Sequence, residues 1–330
     1  MQSNDSIKII QTNSSPSHLF NNLTINDNNL YFIHNSESHP RVMSVDKKFL
    51  ETQQNINTSV KSFNNSETNE MLFVKAVKIK GTNYIGIGLY GGFKLWSNDG
   101  NRLLFQIPTK VQKPNRPYAF TSLCEFIINN SNENDSIICG DNYGQIFLVS
   151  GQGSNWKSKI INQQQSGITS ISSIPGFNSI CATYDNCQIS FLKLDNGDCI
   201  TLKHFKEEQL SVTSACVKGA NGKYYAGCGF INGELKIYGF ESLSCEIAIA
   251  SHLRGINSVL GRNNSFVCIS DDGCVNIWDI NFDLKKVSVQ KNIQIEDKML
   301  VGVEYEPNKR ELYLTSYDFP EIIIIENVII

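Results

Sequence analysis

The segment GIGLYGG, residues 86–92, has the glycine spacing G-x-G-x-x-G by which nucleotide-binding folds hold a pyrophosphate. That chemistry needs a helix N-terminus directly after the glycines and an acidic residue about 20 positions later for the ribose. Here the following residues, Phe93 to Trp96, alternate as a strand does, and no Asp or Glu occurs between Gly100 and Cys124. We therefore interpret the glycines as turn residues and expect no cofactor.

His252, Ser270 and Asp272 have the three residue types of a hydrolytic triad. A nucleophilic serine needs a strained turn that presents its hydroxyl and backbone donors for the oxyanion. Ser270 lies in SFVCISDDG, which contains no such turn. We predict that these residues are structural and that the protein has no catalytic residue.

The overall composition is that of a protein with a packed core and little attraction to nucleic acid. The 330 residues are 41% hydrophobic and 18% charged, with a net charge of −3. No run of about 18 apolar residues and no secretory signal is present, so we expect a cytoplasmic protein without membrane insertion.

Cysteine and histidine do not form metal-binding patterns in this chain. The ten cysteines are scattered without a C-x-x-C pair, and several lie in apolar segments, among them Cys139, Cys181 and Cys268. We interpret them as reduced thiols of the core and predict no metal site.

A repeat with spacings of 40 to 53 residues runs through the chain. Each copy has a turn residue, an apolar residue two positions later and, in all copies but the first, another apolar residue four positions later. Such pairs share one face of a strand, and an apolar stretch before each turn residue indicates a hairpin. The seven turn residues are Pro40, Gly91, Gly144, Cys187, Gly233, Gly273 and Pro320.

This period, with several strands in each copy and almost no helical patterning, is typical of propeller blades. We predict an all-β fold, a seven-bladed β-propeller that occupies residues 1–330 as a single domain. The polar stretch at residues 46–70 is expected to be a mobile connection between the first two copies.

Both ends of the chain are apolar, with SIKIIQ near the start and EIIIIENVII at the end. We predict that Ile7, Ile9 and Ile10 form the outer strand of the last blade, beside Ile322 to Ile325, and so close the ring. The alternative is a frayed N-terminus beside a C-terminal hairpin.

The sixth copy, SHLRGINSVLGRNNSFVCISDDGCVNIWD, resembles a WD repeat and ends in Trp278-Asp279. The resemblance implies a propeller of WD-repeat type. It also implies a structural tetrad, in which the Asp holds the imidazole and the hydroxyl bonds to the indole N–H, made of His252, Ser270, Asp272 and Trp278.

Over its whole length the chain resembles the WD-repeat protein 54 family. The resemblance rests on NNLTINDNNLYFIH, LYGGFKLWSNDGNRLLFQ, GITSISSIPG, SDDGCVNIWDI and TSYDFPEIII in this order. It implies a cytoplasmic scaffold without catalytic residues. Only one copy keeps the Trp-Asp pair, so most blades lack the full tetrad.

The turns of the copies provide candidate binding residues, because partners usually dock on propeller turns. Aromatic residues stand three positions before the turn residue in three copies, and acidic residues stand two positions before it. We predict an interaction face for a basic partner, made of Tyr184, Phe230, Tyr317, Asp185, Asp271 and Asp318. The aromatics could instead fill space between blades.

The segment QIPTKVQKPNRPY contains basic residues and no acidic one. It is a candidate basic loop for an acidic partner, with Lys110, Lys113 and Arg116, or else a solvated connector.

Two classes of function follow from these features. The first is a non-enzymatic scaffold for protein–protein interactions in a cytoplasmic assembly of the cytoskeletal, ciliary or trafficking kind, with self-association left open. The second is an enzyme or small-ligand binder that uses the central channel, which requires charged residues converging there. Chromatin and phosphopeptide readers form a smaller third group.

Overall fold

The protein is a seven-bladed β-propeller. The computed structural model describes residues 6–35, 40–52, 60–62, 70–108, 116–126, 135–153, 155–174, 177–195 and 198–330. The described strands form seven four-stranded antiparallel sheets, so the predicted fold class is confirmed. None of the described helices is long and apolar enough to cross a membrane.

Each blade consists of an inner strand, two middle strands and an outer strand. Blade 1 comprises β2 (Thr24–Ile25), β3 (Asn29–His34), β4 (Arg41–Asp46) and β5 (Val60–Ser62). Blade 2 comprises β6 (Met71–Ile79), β7 (Thr82–Leu89), β8 (Gly92–Ser97) and β9 (Leu103–Pro108). Blade 3 comprises β10 (Phe120–Phe126), β11 (Ser136–Asp141), β12 (Gln145–Gln152) and β13 (Asn155–Gln163). Blades 4 and 5 comprise β14 (Ile168–Ile174), β15 (Phe177–Tyr184), β16 (Gln188–Asp195) and β17 (Asp198–Lys206); β18 (Ser211–Lys218), β19 (Tyr224–Phe230), β20 (Glu234–Gly239) and β21 (Ser244–Ala250). Blades 6 and 7 comprise β22 (Ile256–Arg262), β23 (Ser265–Ser270), β24 (Cys274–Asn281) and β25 (Lys286–Gln294); β26 (Leu300–Glu306), β27 (Glu311–Ser316), β28 (Glu321–Ile325) and β1 (Ile7–Gln11).

The inner strands pack side by side around a central channel, and the last inner strand, β26, contacts the first, β2. The second strand of a blade is buried on both faces, as in β11 and β23, because neighbouring blades cover both sides of each sheet. The outer strands, such as β25, are mostly exposed or half-buried. The core therefore lies between the blades.

Most of the predicted turn residues close a tight turn between the second and third strands. The N–H groups of Gly144, Cys187, Gly233 and Gly273 each donate to the carbonyl three residues earlier. At Gly144 φ is +82°, and a Cβ atom would lie 2.4 Å from the carbonyl oxygen of Gln164, so only glycine fits there.

The ring is closed by the N-terminal strand, as predicted. Strand β1 pairs antiparallel with β28, with Ile10 opposite Ile322 and Ile7 opposite Ile325. Along β1, Ile10 is buried in the core cluster shared with the first blade, whereas Ile9 on the other face is 52% exposed. The pairing completes the last blade as a four-stranded sheet and ties the N-terminal strand to the C-terminal strands.

The polar stretch after β4 forms part of the first blade. It contains a short helix, α1 (Lys47–Thr52), followed by β5, which pairs with β4. The prediction that this stretch is a mobile connection was therefore wrong for residues 60–62. These three residues form the fourth strand of the first blade. Residues 53–59 and 63–69 lie outside the described part of the chain.

The closing strand predicts different losses in the free energy of unfolding for substitutions at two adjacent isoleucines. Ile10→Ala should lower the free energy of unfolding by about 2–5 kcal/mol, because it removes a buried side chain from the seam of the ring. Ile9→Ala should change it by about 0.5 kcal/mol or less, because Ile9 is on the exposed face. Urea denaturation of both variants tests this, and equal losses would show that β1 does not hold the ring closed.

Candidate interaction sites on the upper face

One end of the ring, here called the upper face, carries the turns between second and third strands and the connections from one blade to the next. The candidate binding residues that the structure describes lie in these turns and connections or at the strand ends beside them. The described turns at this end are held by backbone hydrogen bonds, so they present side chains from fixed positions.

The connection from β1 to β2, residues 12–23, crosses the mouth of the channel. The Asn21 N–H donates to the Asn257 carbonyl oxygen over 3.1 Å. The Asn21 Oδ1 accepts from the hydroxyls of Thr213 at 3.0 Å and Ser258 at 2.7 Å, which lie at the inner strands of blades 5 and 6. The connection therefore runs from the last blade to the first blade, passes the inner strands of blades 5 and 6, and covers the part of the channel mouth that lies beside those strands.

Two of the three predicted interface aromatics are core residues. Tyr184 is 1% and Phe230 0% exposed, and each packs in a hydrophobic cluster between blades. The reason is local: each is the last residue of a second strand and the first residue of its hydrogen-bonded turn. The prediction that Tyr184 and Phe230 lie on an interaction face was wrong, and the space-filling alternative describes them.

Tyr317 differs because its turn is built differently. Strand β27 ends at Ser316, and Pro320 has no N–H with which to close a tight turn, so Tyr317 lies beyond the strand. Its side chain is 41% exposed and makes an edge-to-face contact with His18 of the crossing connection, with ring centroids 5.4 Å apart.

The predicted acidic residues all lie at this end of the ring but in two places. Asp271 accepts from the Asn257 amide at 2.6 Å and lies 3.3 Å from His18 Nε2. Asp318 is exposed in the same region, and its N–H donates to the Pro16 carbonyl. Asp185 lies at blade 4, paired with Arg116 at 2.5 Å.

Exposed apolar side chains, most of which the sequence analysis missed, accompany Tyr317. Phe20 is 44%, Ile231 46% and Leu253 95% exposed. Leu253 is the one apolar residue of the connection SHLRG, which was an available signal in the sequence. Ile231 follows Phe230 directly in FINGE and gave no such signal. We call Phe20, Ile231, Leu253 and Tyr317 the upper-rim patch.

Contacts place the patch residues along one arc of the rim. Ile231 adjoins Gly255, so the turn of Ile231 and the connection of Leu253 lie together. The Leu253 N–H donates to Asp272 at 3.0 Å. Phe20 lies between His18, which contacts Tyr317, and Asn21, which contacts blades 5 and 6.

The described turns and connections of blades 5 to 7 on this face contain more acidic than basic side chains. Lys298 is paired with Glu321 at 2.7 Å, and Arg254 is exposed. Lys236 is paired with Glu207 at 2.7 Å and lies 3.7 Å from Glu234. The acidic residues are Glu207, Glu208, Glu234, Asp271, Asp272, Glu296, Asp297 and Asp318. The upper-rim patch therefore has an acidic border.

The predicted tetrad is assembled only in part. The His252 Nδ1 lies 3.1 Å from both carboxylate oxygens of Asp272. The indole N–H of Trp278 donates to the Ser251 hydroxyl at 2.8 Å, and not to Ser270, whose hydroxyl accepts from the Asp272 N–H. The residue before His252 thus takes the role expected of Ser270.

The hydrogen bonds define the state of His252. Burial lowers the pKa of His252 despite the neighbouring Asp272. Burial alone would raise the pKa of Asp272. Hydrogen bonds from the Cys274 N–H and from His252 outweigh burial, so the net effect is a lowered pKa of Asp272. A neutral imidazole donates from Nδ1 to Asp272 and accepts at Nε2 from the Asn276 amide at 3.4 Å. The hydrogen bonds of His252 and Asp272 are therefore made within the protein and stabilise the blade.

A second site on this face is a cleft of about 1020 Å³ between blades 3 and 4. Arg116 lies at its edge, with its guanidinium 5.9 Å from the centre of the Tyr143 ring. Of the predicted basic loop, only Arg116 is described; Lys110 and Lys113 lie outside the described residues.

The inner strands carry mainly hydroxyl contacts and one charged group of side chains. Ser170 and Ser214 are 2.9 Å apart, and the Thr169 hydroxyl donates to the Ser211 carbonyl at 2.7 Å, so these bonds join blades 4 and 5. Lys75 pairs with Glu304 at 3.0 Å, which raises the pKa of Lys75. Glu125 lies near both side chains, and burial raises the pKa of Glu125. The charges at these strands are thus at least partly neutralised by pairing.

Nothing in the described part of the chain assembles three His, Cys, Asp or Glu side chains for a metal ion. All ten cysteines are free thiols; five of them are buried, as expected of core thiols, whereas Cys245 is exposed. Burial raises the pKa of Cys124 and Cys268 to about 12, so these thiols stay protonated and unreactive.

Comparison with known proteins shows the fold alone. No protein-family model matches the chain, and no curated protein matches it significantly. Among solved structures, a chain of the "Crystal Structure of Mitotic Checkpoint Complex" matches with a TM-score of 0.74 and 10% sequence identity, over 98% of this chain and 91% of that one. The fold match extends over almost the whole ring.

The neutral state of His252 predicts an acid-sensitive stability. The unfolded chain has a histidine pKa of about 6.5, and burial holds the folded value lower, so below about pH 6.5 the unfolded state binds the proton first. Stability therefore falls as the pH drops below about 6.5 and levels off below the folded pKa. His252→Gln removes this contribution.

Unfolding free energies between pH 7.5 and pH 5 test this prediction. The wild type should lose up to about 1.4 kcal/mol per pH unit relative to His252→Gln within the window. His204→Gln, at an exposed histidine, is the control and should keep the wild-type slope. Parallel curves for the wild type and His252→Gln would contradict a neutral, buried His252.

Proposed function

We propose that the protein is a non-enzymatic scaffold of a cytoplasmic multiprotein assembly and docks a partner on the upper-rim patch. The observation that carries the proposal is the exposure of four large apolar side chains on one arc of a rigid rim, including Leu253 at 95%. Exposed apolar clusters rimmed by polar groups mark interaction surfaces on soluble proteins.

The patch has the composition of an interface centre. Tyr317 and Phe20 are large aromatic side chains of the kind that anchor partners. They are presented by backbone that is already fixed, since Asn21 bonds to blades 5 and 6 and the Tyr317 N–H donates to the Met299 carbonyl at 2.8 Å. Little conformational entropy is therefore lost when a partner binds.

The acidic border indicates the chemistry of the partner. A segment with apolar side chains for the patch and Lys or Arg for the border fits this surface, since opposite charges speed association and reject acidic competitors. This retains the basic partner predicted from Asp271 and Asp318 and moves its apolar anchors from Tyr184 and Phe230 to Phe20, Ile231 and Leu253.

The non-enzymatic part of the proposal is supported by the way polar groups are used. His252 and Asp272 hold one another and the backbone, and Lys75 pairs with Glu304. The crossing connection covers one side of the channel mouth. A single domain of the WD-repeat protein 54 type, in an assembly of the cytoskeletal, ciliary or trafficking kind, remains part of the proposal.

A charge-adding substitution in the patch tests the docking site. Leu253→Arg removes the most exposed apolar side chain and repels a basic segment, so partner affinity should fall about tenfold or more. Leu284→Arg is the matched control, because Leu284 is 63% exposed in the β24–β25 turn at the opposite end of the ring. Proteins captured from cells by the wild type and by Leu284→Arg, but not by Leu253→Arg, are purified and their affinities measured by calorimetry.

The results of this experiment distinguish docking on the upper-rim patch from docking elsewhere, from self-association and from binding of a small ligand in the channel. Equal affinity of a purified partner for both variants would place docking elsewhere. If light scattering shows a wild-type dimer that Leu253→Arg dissociates, the patch binds a second copy of this chain. Binding of a small metabolite that is unaffected by Leu253→Arg, without protein partners, would favour the channel alternative.

A further inference from the structure

The outer strands of blades 3 and 4, β13 and β17, contact each other and carry lysines on the faces that border the seam between the two blades. Residues directly opposite each other in an antiparallel pair lie on the same face of the sheet. Lys159 of β13 is opposite Leu148, which packs against the apolar cluster between blades 3 and 4. Lys157, two positions earlier, is on the same face. Strand β13 therefore presents both lysines toward blade 4.

Strand β17 presents a third lysine toward blade 3. Lys206 is opposite Gln188, and Gln188 lines the cleft between blades 3 and 4. The Lys206 ammonium donates to the Asn186 carbonyl oxygen at the upper end of this seam. Lys157, Lys159 and Lys206 are exposed, and we call them the basic seam.

The described strands that border the basic seam place their acidic residues elsewhere. Strands β12 and β13 contain no Asp or Glu. On blade 4, Asp195 follows Leu194 of the cluster between blades 3 and 4, so Asp195, with Asp198 opposite it in the register, belongs to the other face. The lining of the cleft above the seam is uncharged apart from Arg116, which pairs with Asp185. The seam is thus basic, although the net charge of the chain is −3.

Strand β13 is also an open sheet edge. It is the outer strand of blade 3, is 9 residues long and contains no proline, so its outward N–H and C=O groups can pair with a further strand. On the face toward blade 2, Trp156 and Ile160 are half-buried and pack against the cluster between blades 2 and 3. A strand added to this edge therefore meets lysines on one face and apolar side chains on the other.

The spacing of the lysines fits an extended polypeptide. Residues two apart in a strand are separated by about 6.6 Å, so carboxylates at alternate positions of an added strand come opposite Lys157 and Lys159. Nucleic acids bind through many phosphate contacts, and basic clusters that bind anionic lipids have about four to eight cations. Three lysines along a strand edge match a short acidic segment better than either.

We propose that an extended acidic polypeptide segment binds the basic seam and adds to β13 as a fifth strand of blade 3. Its Asp or Glu side chains pair with Lys157 and Lys159, and Lys206 attracts the segment from blade 4. The apolar side chains that alternate with them pack against Trp156 and Ile160. The same lysines repel basic strands and disfavour purely apolar ones, which makes the edge selective.

A fluorescein-labelled dodecamer of alternating Glu and Val is the probe, and its fluorescence anisotropy with the full-length protein at low ionic strength measures binding. Lys157→Gln/Lys159→Gln should weaken binding about 3- to 30-fold, the effect of losing two cross-strand charge pairs. Lys193→Gln/Lys203→Gln is the matched control. These two lysines are equally exposed but lie on the face of blade 4 toward blade 5, so this variant should bind the peptide as the wild type does.

A second dodecamer, of alternating Glu and Pro, tests the addition of a strand. It carries the same charge, but proline has no N–H to pair with β13, so it should bind more weakly than the Glu–Val peptide. Only the Glu–Val peptide should protect the amides of β13 from hydrogen exchange.

Equal binding of the two acidic peptides, equal losses in the two double variants or no measurable binding would overturn the proposal. Tighter binding of single-stranded RNA or of vesicles containing phosphatidylserine, lost in Lys157→Gln/Lys159→Gln, would assign the seam to phosphate groups and overturn it as well. Because no residue of the upper-rim patch is changed, these results are independent of the docking test with Leu253→Arg.

Discussion

The pairing of β1 with β28 is the constraint on which the other features of this protein depend. Because the first strand belongs to the last blade, the chain must pass from the outside of blade 7 to the inner strand of blade 1. Residues 12–23 make this passage across the channel mouth, and on the way they carry Phe20 and His18 onto the upper face. The closure of the ring therefore also determines which side chains cover this part of the upper face.

The packing of blades against one another determines which side chains reach the surface. A residue at the end of a second strand is covered by the next blade, whatever its type, and so Tyr184 and Phe230 are buried while Tyr317, one residue beyond its strand, is exposed. Side chains of turns and of connections between blades are not covered by a neighbouring blade. Leu253 and Ile231 are exposed for that reason, although strand residues of the same type form the core.

The repeat in the sequence was sufficient to predict the seven blades and most of the turns, because these depend on apolar periodicity and on glycine conformations that are local properties. The closing strand was predicted instead from the apolar residues at both ends of the chain. The candidate sites depend on contacts between blades, which the periodicity does not encode. The exchange of Ser270 for Ser251 in the bond to Trp278 is such a case. The cleft could not be predicted either, because its amides come from two blades and the connection between them.

Two surfaces of different chemistry lie on the same face of the ring. The upper-rim patch on blades 5 to 7 is apolar with an acidic border, whereas the cleft between blades 3 and 4 is polar and neutral. A polypeptide segment suited to one of these surfaces is poorly suited to the other, because apolar and polar surfaces select different side chains.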